Sequence, residues 1–251
     1  MLFRSVERIA NPPQPILLKM PETLGSIVKQ RVQYLTDYQN ADYARQYQSI
    51  VDQVRTAEAA LGQGDRLART VAKSLFKLMA YKDEYEVARL YTTASFADKL
   101  KQQFEGKLKL RLNLAPPLFA KKDAHGYPLK TEYGSWVWPL LRLLARSKSL
   151  RGTKLDPFGW TEERRLERQL IVDYRALIMN LLERLDAHRL PQAVEIAALA
   201  EKIRGFGHVK IQAIKRYQAD LESALQRLQS EDSSVNNHAN NNKDNVLGNA
   251  A

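Results

Sequence analysis

The sequence predicts a mainly α, multi-helix domain with one small β element near residues 107–133, and three observations predict it. Apolar residues recur at spacings of three and four through most of residues 22–229. One stretch, KLKLRLNL at 107–114, alternates instead with a period of two. The two ends differ in composition from the middle. Residues 1–21 contain Pro12, Pro13, Pro15 and Pro21, while residues 230–251 are rich in asparagine and nearly devoid of large apolar groups. The expected organisation is therefore an extended lead-in over 1–21, a helical domain over 22–229 and a disordered tail over 230–251.

The elements follow in order. A first helix is expected after Thr23, with Ile27, Val28, Arg31, Leu35 and Tyr38 near helical spacing. A second begins near Asp42, whose side chain is the expected cap, and carries Tyr43, Tyr47, Ile50, Val54 and Leu61. LGQGD at 61–65 supplies a glycine stop and then Asp65 as the next expected N-cap. The third helix places Leu67, Val71, Leu75 and Leu78 on one stripe, and continuing that stripe leads to Lys82, Glu86 and Arg89. Charges there stand where the preceding turns put core. Either the helix turns its buried face toward Val87, Leu90 and Tyr91, or the charges meet another domain.

In 107–114 the leucines at 108, 110, 112 and 114 are expected to face inward, and APPLF ends the strand because proline donates nothing to a ladder. A loop or short hairpin around Gly126 and Pro128 follows. Helix resumes in SWVWPLLRLLARSKSL, with Pro139 in its first turn, and Gly152 closes it. TKLDPFGW then leads to a long helix capped by Thr161 and reaching about Ala187, striped by Leu166, Leu170, Tyr174, Leu177, Leu181 and Leu185. A further helix follows Pro191, and a last one runs to about Gln229.

Composition restricts the chemistry. The 251 residues contain no cysteine, which removes thiolate nucleophiles, disulfides and cysteine-held zinc or iron–sulfur clusters from this chain. There is no Walker loop, no G-x-S-x-G elbow and no H-E-x-x-H helix. His125, His188, His208 and His238 are scattered without ligand spacing, so no metal is expected. No run of signal-peptide or membrane-spanning character occurs, and the expectation is a soluble, cytoplasmic chain with no membrane partner. The formal charge of +11 favours anionic partners, although basic and acidic residues are interspersed along the chain.

Two places stand out as candidate sites. RGFGHVK at 204–210 brings Arg204, His208 and Lys210 around two glycines at a helix start. That is either an anion site or a C-cap followed by a turn. LRGTKLDPFGWTEERR at 150–165 concentrates apolar and guanidinium groups at another helix start. A buried junction is expected there, with Phe158 and Trp160 packing and Arg151, Arg164 and Arg165 contacting a neighbouring domain. Lys82, Glu86 and Arg89 are the further domain-interface candidates.

Four blocks carry a resemblance: LFKLMAYKDEYEVARLYT at 75–92, FEGKLKLRLNLAPPLFAKKDAHGYPLKTEYG at 104–134, LRGTKLDPFGWTEERRLERQLIVDYRALI at 150–178, and IRGFGHVK at 203–210. In this order they resemble the C-terminal region, a domain of unknown function, of indolepyruvate:ferredoxin oxidoreductases in the 2-oxoacid:acceptor oxidoreductase family. The likeness spans about Thr23 to Leu228. It implies an assembly that oxidatively decarboxylates aryl 2-oxoacids such as indolepyruvate to acyl-CoA and passes electrons to ferredoxin. Thiamine diphosphate, a divalent metal and iron–sulfur clusters are then expected in partner catalytic regions, none of them in this chain. No catalytic residue carries over. The resemblance implies a non-catalytic accessory module, inactive alone, whose partners are the catalytic domains or subunits, with ferredoxin a further candidate. The alternatives from other classes are a basic helical nucleic-acid binder, for which Tyr43, Tyr47, Trp136 and Trp138 offer no evident stacking platform, and a phosphate- or CoA-binding module.

Overall fold

The structure, a computed structural model, describes residues 22–103, 111–114, 129–205 and 207–248, with side chains left undescribed at 95, 97, 99–101, 208 and 231–248. Its helices are α1 (Leu24–Tyr38), α2 (Ala41–Ala59), α3 (Arg66–Met79), α4 (Glu84–Thr92), α5 (Ala94–Gln103), α6 (Val137–Arg146), α7 (Glu162–Glu183), α8 (Leu190–Ala198) and α9 (Gly207–Gly248). Short 3-10 turns at Ser147–Leu150 and Leu199–Lys202 extend α6 and α8. The expected mainly α class with a small β element is what the chain adopts.

The β element is a two-stranded antiparallel pair, β1 (Leu112–Leu114) and β2 (Thr131–Tyr133), in the register Leu112↔Tyr133, Asn113↔Glu132, Leu114↔Thr131. Its pleat follows the sequence pattern: Leu112 is buried, Asn113 exposed and Leu114 half-buried. The expected start of the strand at Lys107 and the turn around Gly126 and Pro128 lie outside the described residues.

Two apolar clusters form. In the larger, α3 packs against α1, α2, α7 and α8, and the stripe of Leu67, Val71 and Leu75 is fully enclosed. Leu170, Tyr174, Ile178 and Leu181 close it from α7, and Ile214 and Tyr217 from α9. Two fully buried tyrosines in this core keep their hydroxyls bonded to carbonyls: Tyr47 to Ala72 at 3.1 Å and Tyr174 to Ala197 at 2.9 Å. The smaller cluster joins Ala88 of α4, Leu112 of β1, and Val137 and Leu141 of α6. Among the described side chains, Leu221, Ala224, Leu225 and Leu228 of α9 are partly buried against the larger core. The backbone itself stays helical to Gly248, beyond the helix end that the asparagine-rich composition suggests.

Of three expected caps, Asp42, Asp65 and Thr161, two are replaced by other residues. Asn40 rather than Asp42 caps α2, accepting from the Tyr43 amide at 2.8 Å, because it stands one residue before the helix. Asp65 precedes α3 but makes no cap bond, since Arg69 holds its carboxylate at 2.7 Å. The first turn of α3 is capped by Glu58 of α2, which accepts from the amides of Leu67 at 2.7 Å and Ala68 at 2.8 Å while itself 0% exposed. Thr161 caps α7 as expected.

The stripe of α3 does not continue through Lys82 to Arg89. The helix ends at Met79, the chain turns over 80–83, and Asp83 restarts it by accepting from the Glu86 amide at 2.8 Å. α4 thereby leaves the large core and packs on α6.

Candidate functional site

The two clusters meet at a buried knot of charge built around Arg151, where α1, the 80–83 turn and the 150–160 connection converge. Arg151 donates Nε to Asp83 Oδ2 at 2.5 Å and Nη2 to Asp83 Oδ1 at 2.9 Å, a bidentate pair. Nη1 donates to the Tyr38 carbonyl at 2.5 Å, and the guanidinium lies 3.6 Å from the Tyr38 ring centroid. Lys148, one turn earlier, donates to the carbonyls of Asp37 at 2.5 Å and Thr36 at 3.3 Å. These carbonyls close α1, whose last turn has no helical partner for them and bears the negative end of the helix dipole. Two cations more than a hundred residues away in sequence therefore cap α1. Partial burial holds the Lys148 ammonium below its ordinary pKa.

The DPFG turn is organised by Asp156. Its Oδ2 accepts from the Gly152 amide at 2.8 Å, and its Oδ1 from the Phe158 amide and the Tyr85 hydroxyl, each at 3.1 Å. The turn requires glycine at 159, where a Cβ would stand 2.5 Å from Asp156 Oδ2. Phe158 meets Tyr85 edge to face, with ring centroids 5.4 Å apart, so its packing expectation fits. The expected packing of Trp160 is corrected: its side chain is 63% exposed, because Asp156 and Phe158 take the inward positions of the turn. Arg165 is exposed beside it.

Three of the remaining interface candidates, Glu86, Arg89 and Arg164, find partners inside this chain, whereas Lys82 is exposed. Glu86 is buried and accepts from the Tyr34 hydroxyl at 2.5 Å and from Arg89 at 2.7 and 2.8 Å. Arg164 pairs with Glu167 and lies 3.6 Å from Glu84 Oε2. Glu167 is shared with Lys210, so a chain of alternating charge runs from α4 through α7 to α9. Restarting α4 at Asp83 turns these charges toward Tyr34 of α1 and Arg164 of α7 rather than outward.

Beyond Glu167 lies a cavity of about 290 Å³ that joins the two sequence regions singled out as charged. Lys82 and Arg204 line it with exposed side chains, and Lys210 and Lys77 with part-buried ones. Gly205 brings the backbone to its wall at φ +98°, and a Cβ there would stand 2.7 Å from Val209 Cγ1, so glycine is required for this path. His208, the third candidate of RGFGHVK, has a side chain outside the described residues. Sequence reading missed Asp83, Asp156, Glu58, Glu167 and Lys77. Of these, Asp156 carried a local signal, since Asp-Pro-x-Gly is a turn in which the carboxylate bonds its own backbone.

Among the described residues no group of three or more acidic or histidine side chains converges on a metal position, and no helix is long and apolar enough to cross a membrane. The fold and the buried knot define a helical domain made from two packed parts locked by internal ion pairs. Residues 24–223 match a family of unknown function (DUF6537), and the chain belongs to that family. No curated protein and no solved structure matches it.

Proposed function

We propose that the chain is a non-catalytic module of an indolepyruvate-type 2-oxoacid:ferredoxin oxidoreductase. It supports oxidative decarboxylation of aryl 2-oxoacids by docking to catalytic regions that carry thiamine diphosphate, a divalent metal and iron–sulfur clusters. The observation that carries this reading is the outer face of α6. Trp136, just before the helix, Leu140 and Leu143 are 67%, 56% and 62% exposed, at spacings of four and three. Val137 and Leu141 on the same helix are already buried against α4 and β1. A helix apolar on both faces has one face left to cover. The choice of partner rests on the blocks of sequence likeness at 75–92, 104–134, 150–178 and 203–210. The formal charge of +11 suits an acidic electron carrier approaching the same assembly.

The test combines the full chain with the catalytic chain of such an enzyme. The chain alone is expected to reduce no acceptor with indolepyruvate, thiamine diphosphate and CoA, and to co-purify with the catalytic chain. Turnover by the chain alone overturns the reading. Co-purification that survives L140E/L143E removes α6 as the contact.

A further inference from the structure

We propose that the cavity between the end of α3, the 80–82 turn, α7, residues 203–205 and the first turn of α9 binds a small phosphate-bearing molecule through Lys77, Lys82, Arg204 and Lys210. The site goes beyond the docking function and stands independently of it.

The first argument is convergence. Lys77 comes from the last turn of α3, Lys82 from the turn after it, Arg204 from the connection after α8, and Lys210 from the first turn of α9. Four cations from separate stretches face one carboxylate in this wall, Glu167. Glu167 is already engaged twice, by Lys210 and by Arg164. Neither Lys82 nor Arg204 has a carboxylate partner among the described residues. Positive charge is thus gathered and left largely uncompensated.

The second argument is the state of Lys77. Partial burial and then Arg204 hold its ammonium below its ordinary pKa; Glu201 opposes this, and Lys210 adds a smaller lowering effect. Its nitrogen bonds the Glu201 carbonyl, a neutral acceptor that leaves the charge unbalanced. An anion in the cavity relieves this repulsion, which favours its binding.

The third argument is shape. Gly205 lines the wall at φ +98° with no side chain, and Arg204 and Lys210 line the same wall. Tyr81 and Leu170 supply an apolar flank for the organic part of a ligand. A carboxylate brings one negative charge, whereas a phosphate monoester brings about −1.5 to −2, which matches this excess of cations better.

The experiment titrates the full-length chain at low salt with pyrophosphate and inorganic phosphate, with acetate as the monoanion control, followed by calorimetry and by the thermal midpoint. Saturable binding of pyrophosphate with a raised midpoint is expected, and acetate should give neither. Arg204→Gln and Lys82→Gln, both at exposed side chains, should each weaken binding by about tenfold. Arg165→Gln, an exposed arginine outside the cavity, should leave it unchanged within about twofold. Absence of saturable binding to the wild-type chain overturns the site, and so does an equal loss in Arg165→Gln, which would mark a general charge effect.

Discussion

Arg151 and Asp83 face each other across 68 residues of sequence with side chains 2% and 3% exposed, two guanidinium nitrogens on two carboxylate oxygens. Removing one member of a buried pair leaves the other charged and unpaired, which costs about 3–5 kcal/mol. Arg151→Met and Asp83→Asn should each fall in that range by urea denaturation. The double variant should cost less than the sum of the two. Additive losses would show that the pair is not a coupled unit. Asp83→Ser separates the roles, since serine still caps α4 but pairs with no arginine.

Glu58 caps α3 from a position 0% exposed. Glu58→Gln exchanges a charged double acceptor for an amide with one acceptor oxygen, and a hydrogen bond to a charged group contributes about 1.5–3 kcal/mol. A loss of that size in unfolding free energy is expected. By contrast, Asp65→Ala, which removes the residue at the nominal cap position, should cost under about 1 kcal/mol because only an exposed pair with Arg69 is lost. The reverse order of the two losses would reject Glu58 as the cap.

The Glu84 carboxyl should give the protein a recognisable acid-range signature. Burial raises its pKa above the usual carboxylate range, and Arg164 only partly offsets this. Its Oε2 is enclosed without a hydrogen bond, although Arg164 Nε stands 3.6 Å away. For a raised folded-state pKa, the stabilising contribution is fully present below the unfolded-state pKa and is lost as pH rises through the folded-state value. Glu84→Gln removes this titration. The stability of the variant relative to wild type should therefore increase between about pH 4 and pH 7. Chemical denaturation at both pH values checks this, and a flat or falling difference would contradict it.

Phe158 and Trp160 sit two residues apart and should respond differently. Phe158→Ala removes a half-buried ring packed on Tyr85 and is expected to cost about 1–3 kcal/mol. Trp160→Ala, at an exposed ring, should stay within about 0.5 kcal/mol. Equal thermal shifts for the two would mean that the turn packs as a unit.

Much of the helical part was legible because its signals are local. Thr23 and Thr161 mark helix starts, and the spacing of Leu67, Val71 and Leu75 or of Leu170, Tyr174 and Leu181 marks their buried faces. The candidate site was legible only in fragments. Arg151, Arg204 and Lys210 stood out as charges near glycine turns, but Asp83, Glu167 and Lys77, which determine what those charges do, look like ordinary members of charged helices.

By itself the sequence determined the helical class, the small period-two element, the absence of thiol chemistry and the excess of positive charge, since propensity, spacing and composition act over a few residues. Only the tertiary structure decided that α3 stops at Met79, that Glu58 rather than Asp65 caps it, and that Arg151 meets Asp83 and Arg164 lies beside Glu84. A guanidinium more than fifty residues from its carboxylate carries no sequence mark of the pairing. The partner is fixed by which helix ends pack together, and by the cost of enclosing any charge that packing leaves alone.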